Sequence, residues 1–214
     1  MTTIALPTGR SLGDCVEILK GAGLPTENLS NAGRHLVVAD GPFRYLLGKP
    51  TDIPTLVSQG AADLALVGND VTDESEVDVT EILDTGRGKC FMAVAGTPET
   101  AVRFDGHVTN LMGLRVATKY VRTASRTFEE WGAQIRVLNL NGSVELAPAL
   151  GLANCIFDIV QTGGTLKANG LVVIRRTAEV SLRLIANRSA LQLRWSVLRE
   201  TVDAIQKFVA DATN

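Results

Sequence analysis

Cys155-Ile156-Phe157-Asp158-Ile159-Val160-Gln161-Thr162-Gly163-Gly164-Thr165-Leu166-Lys167-Ala168-Asn169-Gly170 is the stretch on which the reading of this 214-residue chain turns. An apolar run of strand length, interrupted only by Asp158, opens into two adjacent glycines between two threonines and then into a helical turn. Glycines let consecutive backbone N–H groups point into one concavity, threonine hydroxyls add donors, and the start of a helix adds its positive end. Such a loop suits a phosphate. Asp158, near the carboxyl end of the strand, is placed to accept hydrogen bonds from sugar hydroxyls or to hold a phosphate-bound Mg²⁺. A phosphate with a ribose attached satisfies both features. The competing reading is a tight turn with Asp158 as a cap, but a lone acid in an apolar strand needs a partner. The sequence has neither a Walker A pattern nor the dinucleotide GxGxxG, so those two readings lose their main support.

Outward from this block, short runs rich in Val, Ile and Leu alternate with helix-period segments, the pattern of a mainly parallel α/β fold. Strands are predicted at 4–6, 35–39, 44–47, 63–67, 90–95, 114–117, 135–140, 155–160, 171–175 and 181–186. Helices are predicted at 53–60, 122–131, 143–150 and 191–210. Ser11 to Asp14 reads as a capping box, opening a helix with Leu12, Cys15, Ile18, Leu19 and Ala22 on one face and Gly23 at its end. The break at Gly96-Thr97-Pro98 predicts a boundary between two lobes, 1–95 with 180–214 and 96–179. The expected architecture is therefore two-lobed α/β, with mixed, mainly parallel sheets and a central cleft for a small ligand.

Composition excludes several functions. There are 21 basic and 23 acidic side chains, for a formal charge of −2. The isoelectric point of about 5.7 argues against nucleic-acid binding, which usually goes with values above about 9. No run approaches the roughly 20 apolar residues of a membrane span, and the N-terminus lacks the features of a secretory leader, so a cytoplasmic protein is expected. Cys15, Cys90 and Cys155 are far apart, without a CxxC, and the two histidines are His35 and His107. Buried thiols are predicted rather than disulfides or a zinc site.

The segment from Asp158 to Leu166 resembles the phosphoribosyl-pyrophosphate loop of phosphoribosyltransferases. With Lys167-Ala168-Asn169-Gly170-Leu171 and the upstream Leu140-Asn141-Gly142-Ser143-Val144-Glu145-Leu146-Ala147-Pro148, it is similar to one family, the ATP phosphoribosyltransferases that open histidine biosynthesis. Shorter pieces match in order: Ala5 to Arg10, Asp52-Ile53-Pro54, Gly60 to Leu64, Val67 to Asp70, Ala117 to Tyr120, and Arg183 to Asn187. The resemblance implies a fold like type II periplasmic binding proteins, with the last helix returning to the first lobe. It also implies the short form of the enzyme, a homodimer that assembles with a regulatory subunit resembling histidyl-tRNA synthetase.

The reaction so implied displaces pyrophosphate from phosphoribosyl pyrophosphate by N1 of the adenine of ATP, with Mg²⁺ on the departing group. A neutral ring nitrogen needs little general-base help, so positioning and stabilisation of leaving-group charge dominate. The resemblance assigns Thr162, Gly163, Gly164, Thr165 and Leu166 to the donor's 5′-phosphate region. It gives Asp158 and Glu145 to the ribose hydroxyls or the metal, the metal being reached through the substrate. Arg10 and Arg34 become catalytic cations that also reach ATP, joined at the nucleotide by Gly9, Asp70, Lys89 and Tyr120. Asp70 reads equally as a turn cap, Tyr120 as core, and Glu145 as an acid complementing a helix dipole. Three positions depart from the family pattern: Phe91 where a basic residue is usual, Arg122 in place of asparagine, and Lys49 in place of arginine. They keep two other readings open, transfer to a different acceptor and non-catalytic binding of a small ligand.

Overall fold

A computed structural model of the chain describes residues 1–104 and 108–212; His107 lies outside the described residues. The chain opens with β1 (Thr2–Pro7), α1 (Leu12–Gly21), α2 (Glu27–Ser30), β2 (Val37–Asp40), β3 (Phe43–Gly48) and α3 (Ile53–Ser58). It continues with β4 (Leu64–Gly68), α4 (Asn69–Ser75) and β5 (Thr80–Asp84). A second series follows: β6 (Cys90–Gly96), α5 (Pro98–Phe104), β7 (Arg115–Thr118), α6 (Val121–Glu130) and β8 (Arg136–Asn139). Then come α7 (Leu146–Ala149), β9 (Cys155–Val160), α8 (Gly164–Ala168) and β10 (Val172–Val180), before β11 (Leu182–Ala186) and α9 (Arg188–Asp211).

These elements form two compact units, Met1–Gly88 with Ser181–Asn214, and Lys89–Val180. The first crossing thus falls before β6, whereas the sequence places 90–95 in the first lobe. Hydrogen bonding explains the difference: β6 pairs along its length with β9 and β10, both in the second unit. Gly96-Thr97-Pro98 marks only the turn into α5, which starts on Pro98 as a first helical residue can.

The first unit carries a six-stranded sheet, β2-β3-β1-β4-β11-β5. All of β1 is buried. Its alternating side chains enter two clusters: Ile4 and Leu6 pack with α1 and α9, and Ala5 packs with α3. A strand covered on both faces reads as a continuous apolar run, which is why its sequence shows no alternation. On α9, Leu198, Val202 and Ile205 are at most 1% exposed and meet Cys15, Ile18 and Leu19 of α1. The two helices approach so closely that a Cβ at Gly21 would overlap the Phe208 ring. The last helix therefore belongs to the first unit, as the resemblance implies. Ser11 adopts a right-handed helical conformation and makes no side-chain cap, so the predicted capping box does not form.

The second unit carries a five-stranded sheet, β10-β6-β9-β7-β8. One face presents Met92, Val94, Val116 and Phe157 to α6; the other presents Ala93, Ala95, Ile156 and Val160 to α7 and α8. Both sheets are mixed but less parallel than the strand–helix alternation predicts. The pairs β1–β3, β1–β4, β7–β8 and β7–β9 are parallel, and the other five are antiparallel.

All three cysteines are free and buried. Desolvation pushes the Cys155 thiol from an ordinary 9.0 up to about 12. The folded state therefore holds this proton where the unfolded chain releases it, so stability is full below pH 9 and falls as pH rises towards 12. Thermal melts of wild type and Cys155→Ala across that alkaline range are expected to show a steeper decline for wild type.

Candidate functional site

In the second unit, the carboxyl ends of β7, β8 and β9 lie side by side, because these strands pair in parallel. Antiparallel β6 starts at the same edge, with Phe91 opposite Val160, and so brings Lys89 there.

From Val160 the chain passes through Gln161 and Thr162 to Gly163, which takes φ 74° and ψ 3° as the N-cap of α8. This left-handed conformation costs a residue with a Cβ about 1–2 kcal/mol. A Cβ there would meet only Val160, at 4.0 Å, so torsion rather than crowding calls for glycine. No side chain caps α8, and helical bonding begins where the Lys167 amide donates to the Gly163 carbonyl at 3.0 Å. The amides of Gly164, Thr165 and Leu166 precede that bond and have no acceptor within the helix. Thr162 Oγ1 stands 3.5 Å from the Gly164 nitrogen, long for a hydrogen bond. Leu166 is buried and anchors the turn beneath, while Thr162, Gly164 and Thr165 are exposed.

Asp158 is half-buried, opposite Ala93, and its Oδ1 accepts from the Ile159 amide at 2.8 Å. That bond fixes the carboxylate's orientation. Glu145 is half-buried as the N-cap of α7, with no side-chain cap bond. The expected helix from 143 is shorter because Ser143 holds φ 51°, which starts a turn rather than a helix. Val144 shares an apolar cluster with Val160 and Leu166, so Glu145 and the glycine loop stand on one floor. Lys89 is exposed. Tyr120 is 3% exposed within the apolar cluster of this unit, with Lys119 Nζ 4.8 Å from its ring centroid. Its ring packs as core, and the expectation of adenine stacking gives way to that role.

In the first unit, β1, β3 and β4 run in parallel and end at one edge, where antiparallel β2 begins. This edge gathers Gly9, Arg10, Arg34 and Asp70. Thr8 is pinned there, its amide and Oγ1 both donating to the Gly48 carbonyl at 2.7 and 3.1 Å. Gly9, at φ 85°, then turns the chain so that Arg10 stands exposed at the tip. Arg34 is exposed in the turn before β2. Asp70 is 8% exposed in the first turn of α4, where an acid complements the helix dipole.

Sequence reasoning missed a polar cluster beside it. Arg183 Nη1 meets Glu81 Oε1 at 3.0 Å and Asp84 Oδ2 at 3.1 Å, and Ser181 Oγ donates to Asp84 Oδ1 at 2.7 Å. Both acids lie on or at the end of β5, which the sequence did not announce. The left-handed conformation of Ser143 was also missed; the Asn141-Gly142-Ser143 run was its one local signal.

A family model described as ATP phosphoribosyltransferase matches residues 49–207. An ATP phosphoribosyltransferase of a Geobacillus species is 43% identical over 211 residues, covering 98% of this chain and 99% of that protein. The ATP phosphoribosyl transferase (HisG:HisZ) complex from Thermotoga maritima contains a chain similar in structure, with a TM-score of 0.80 and 26% identity. The match covers 99% of this chain and 100% of that one. The periplasmic aliphatic sulphonate binding protein SsuA of Escherichia coli shares the fold at a TM-score of 0.59 and 13% identity, over 98% of this chain and 68% of its own.

Proposed function

This chain belongs to the ATP phosphoribosyltransferase family, and from that premise we propose how its residues divide the work of the family's reaction. The reaction transfers the phosphoribosyl group of phosphoribosyl pyrophosphate to N1 of ATP and opens histidine biosynthesis. The bond from C1 to the pyrophosphate oxygen breaks with its electron pair, and the bond from N1 to C1 forms.

The amides of Gly164, Thr165 and Leu166 receive the donor's 5′-phosphate, and the Thr162 and Thr165 hydroxyls add donors. Asp158 and Glu145 orient the ribose through its hydroxyls. Arg10 and Arg34 meet the charge that develops on the departing pyrophosphate and on ATP, with Gly9, Asp70 and Lys89 lining the nucleotide side. The observation that carries this reading is Gly163: in a left-handed conformation it opens α8, whose first turn has no side-chain cap, one short loop after Asp158.

The family's metal, which we take as Mg²⁺, fits this residue set. Mg²⁺ is commonly held by one or two carboxylates plus substrate phosphates, and Asp158 and Glu145 share an edge here. No group of three or more His, Cys, Asp or Glu residues that could hold an ion alone is found among the described residues. When bound, the ion would neutralise charge on the leaving pyrophosphate.

We further propose assembly with a HisZ-like subunit, which the Thermotoga maritima complex supports, and, from the family resemblance alone, that this chain is a homodimer and that the subunit is related to histidyl-tRNA synthetase. No described helix is long and apolar enough to cross a membrane, and we propose a cytoplasmic enzyme.

The deciding experiment is pyrophosphate release from phosphoribosyl pyrophosphate with ATP or with other purines and pyrimidines, with and without such a subunit. Turnover with ATP is expected; turnover only with another base would assign a different acceptor. Arg10→Ala is expected to lower kcat/KM by roughly tenfold or more, the cost of losing a hydrogen bond from a charged group. Its Tm should not change, since Arg10 is exposed. Wild-type kinetics would remove Arg10 from the site.

A further inference from the structure

Arg176 on β10 lies directly opposite Ala93, and Ala93 lies directly opposite Asp158 on β9. Directly opposed residues point to the same side of a sheet, so Asp158, Ala93 and Arg176 form one row on one face. Aromatic contacts fix the same facing independently. Arg175, one residue earlier, stands 4.2 Å from the centroid of Trp131, which packs with the α6 cluster on the opposite face. Arg176 instead stands 3.9 Å from the centroid of Phe91, which packs with Val160 and Leu166 beneath the glycine loop.

Phe91 pairs with Val160, the last strand residue before that loop. The ring therefore draws the guanidinium from the middle of β10 towards the edge where β9 ends. Arg176 is exposed, and among the described residues no carboxylate forms an ion pair with it. A guanidinium lying against a ring is held in direction while its N–H groups stay available at its edge, the geometry that suits phosphate oxygens.

We propose that Arg176, positioned by the Phe91 ring, is a further substrate-binding cation of the loop site and donates to phosphate oxygens of the phosphoribosyl donor. This rests on the assignment of the glycine loop to that donor. It gives Phe91, a departure from the family pattern, the role of a platform that brings a cation in from the neighbouring strand.

The test is calorimetric titration of phosphoribosyl pyrophosphate into the full chain, for wild type, Arg176→Ala, Arg176→Lys, Phe91→Leu, the Phe91→Leu/Arg176→Ala double variant and Gly163→Val. KM values for donor and ATP are measured in the assembly that turns over. Arg176→Ala is expected to weaken donor binding about tenfold, the loss of one charged hydrogen-bond donor, with the KM for ATP and the Tm unchanged. Arg176→Lys should recover part of the affinity. Phe91→Leu should weaken donor binding in the wild-type background and add nothing in Arg176→Ala, because ring and cation act as one unit. Wild-type donor affinity in Arg176→Ala would overturn the proposal, as would a full additive effect of Phe91→Leu in the double variant. If Gly163→Val retains wild-type donor affinity, the loop assignment itself fails. Loss in Gly163→Val with none in Arg176→Ala removes Arg176 alone.

Discussion

Replacing Gly163 with valine is expected to abolish measurable binding of phosphoribosyl pyrophosphate while leaving most of the fold in place. The position holds φ 74°, and a β-branched residue there is strained by roughly 1–3 kcal/mol. Space is not the issue, since a Cβ would have only Val160 at 4.0 Å. Relief comes from rotating the backbone out of the left-handed region, which turns the amides that follow. Losing two or more amide bonds to an anionic ligand weakens binding by about a hundredfold or more. The strain remains well below the roughly 5–15 kcal/mol that holds a domain folded. The Tm should therefore fall by no more than about 10 °C. Donor affinity within twofold of wild type would mean that this backbone does not carry the phosphate.

Asp158→Asn is expected to have the second-largest effect. Asparagine keeps the shape and an oxygen that can accept from the Ile159 amide, which Asp158 Oδ1 does at 2.8 Å. What it removes is charge. If the carboxylate orients ribose hydroxyls or meets a substrate-held cation, kcat/KM for the donor falls by roughly a hundredfold, typical of one placed charged group. An Asp158 that only caps its own strand end would give near-wild-type kinetics, because the amide acceptor survives. Steady-state kinetics with saturating ATP, beside a melt, separates the two.

The loop was legible because its signal is local: an apolar run, one acid and two adjacent glycines lie within a few residues, and the torsion demanded of Gly163 is met by its own residue type. α9 was legible as an apolar stripe seeking a surface. β5 was not, because Thr80-Glu81-Ile82-Leu83-Asp84 is a half-exposed edge strand whose pairing with β11 comes from a segment about a hundred residues later. α4 was missed because Asn69-Asp70-Val71-Thr72-Asp73-Glu74-Ser75 carries no apolar stripe. The unit boundary was misplaced because β6 looks the same in sequence whichever sheet it joins; only its partners β9 and β10 decide. Strand direction was hidden for a related reason. The last residue of β10 and the first of β11 are separated only by Ser181, yet the two strands belong to different sheets.

Of the proposed site, the local geometry of the glycine loop was more legible than the grouping of Arg10, Arg34 and Asp70. Residues 158–166 come from one turn and stay together in space. Arg10, Arg34 and Asp70 come from three separate connections, and only the parallel register of β1, β3 and β4, with β2 reversed, brings them to one edge. For Tyr120 the sequence left core packing and adenine stacking both open, and its burial in one apolar cluster with Phe128 and Phe157 favours the core role.

A crystal of the chain soaked with phosphoribosyl pyrophosphate and Mg²⁺ tests the central claim most directly. The donor's 5′-phosphate is predicted to sit within hydrogen-bonding distance of the Gly164, Thr165 and Leu166 amides, with a ribose hydroxyl on Asp158. A bound donor whose phosphate rests elsewhere, with those three amides facing solvent, would contradict it.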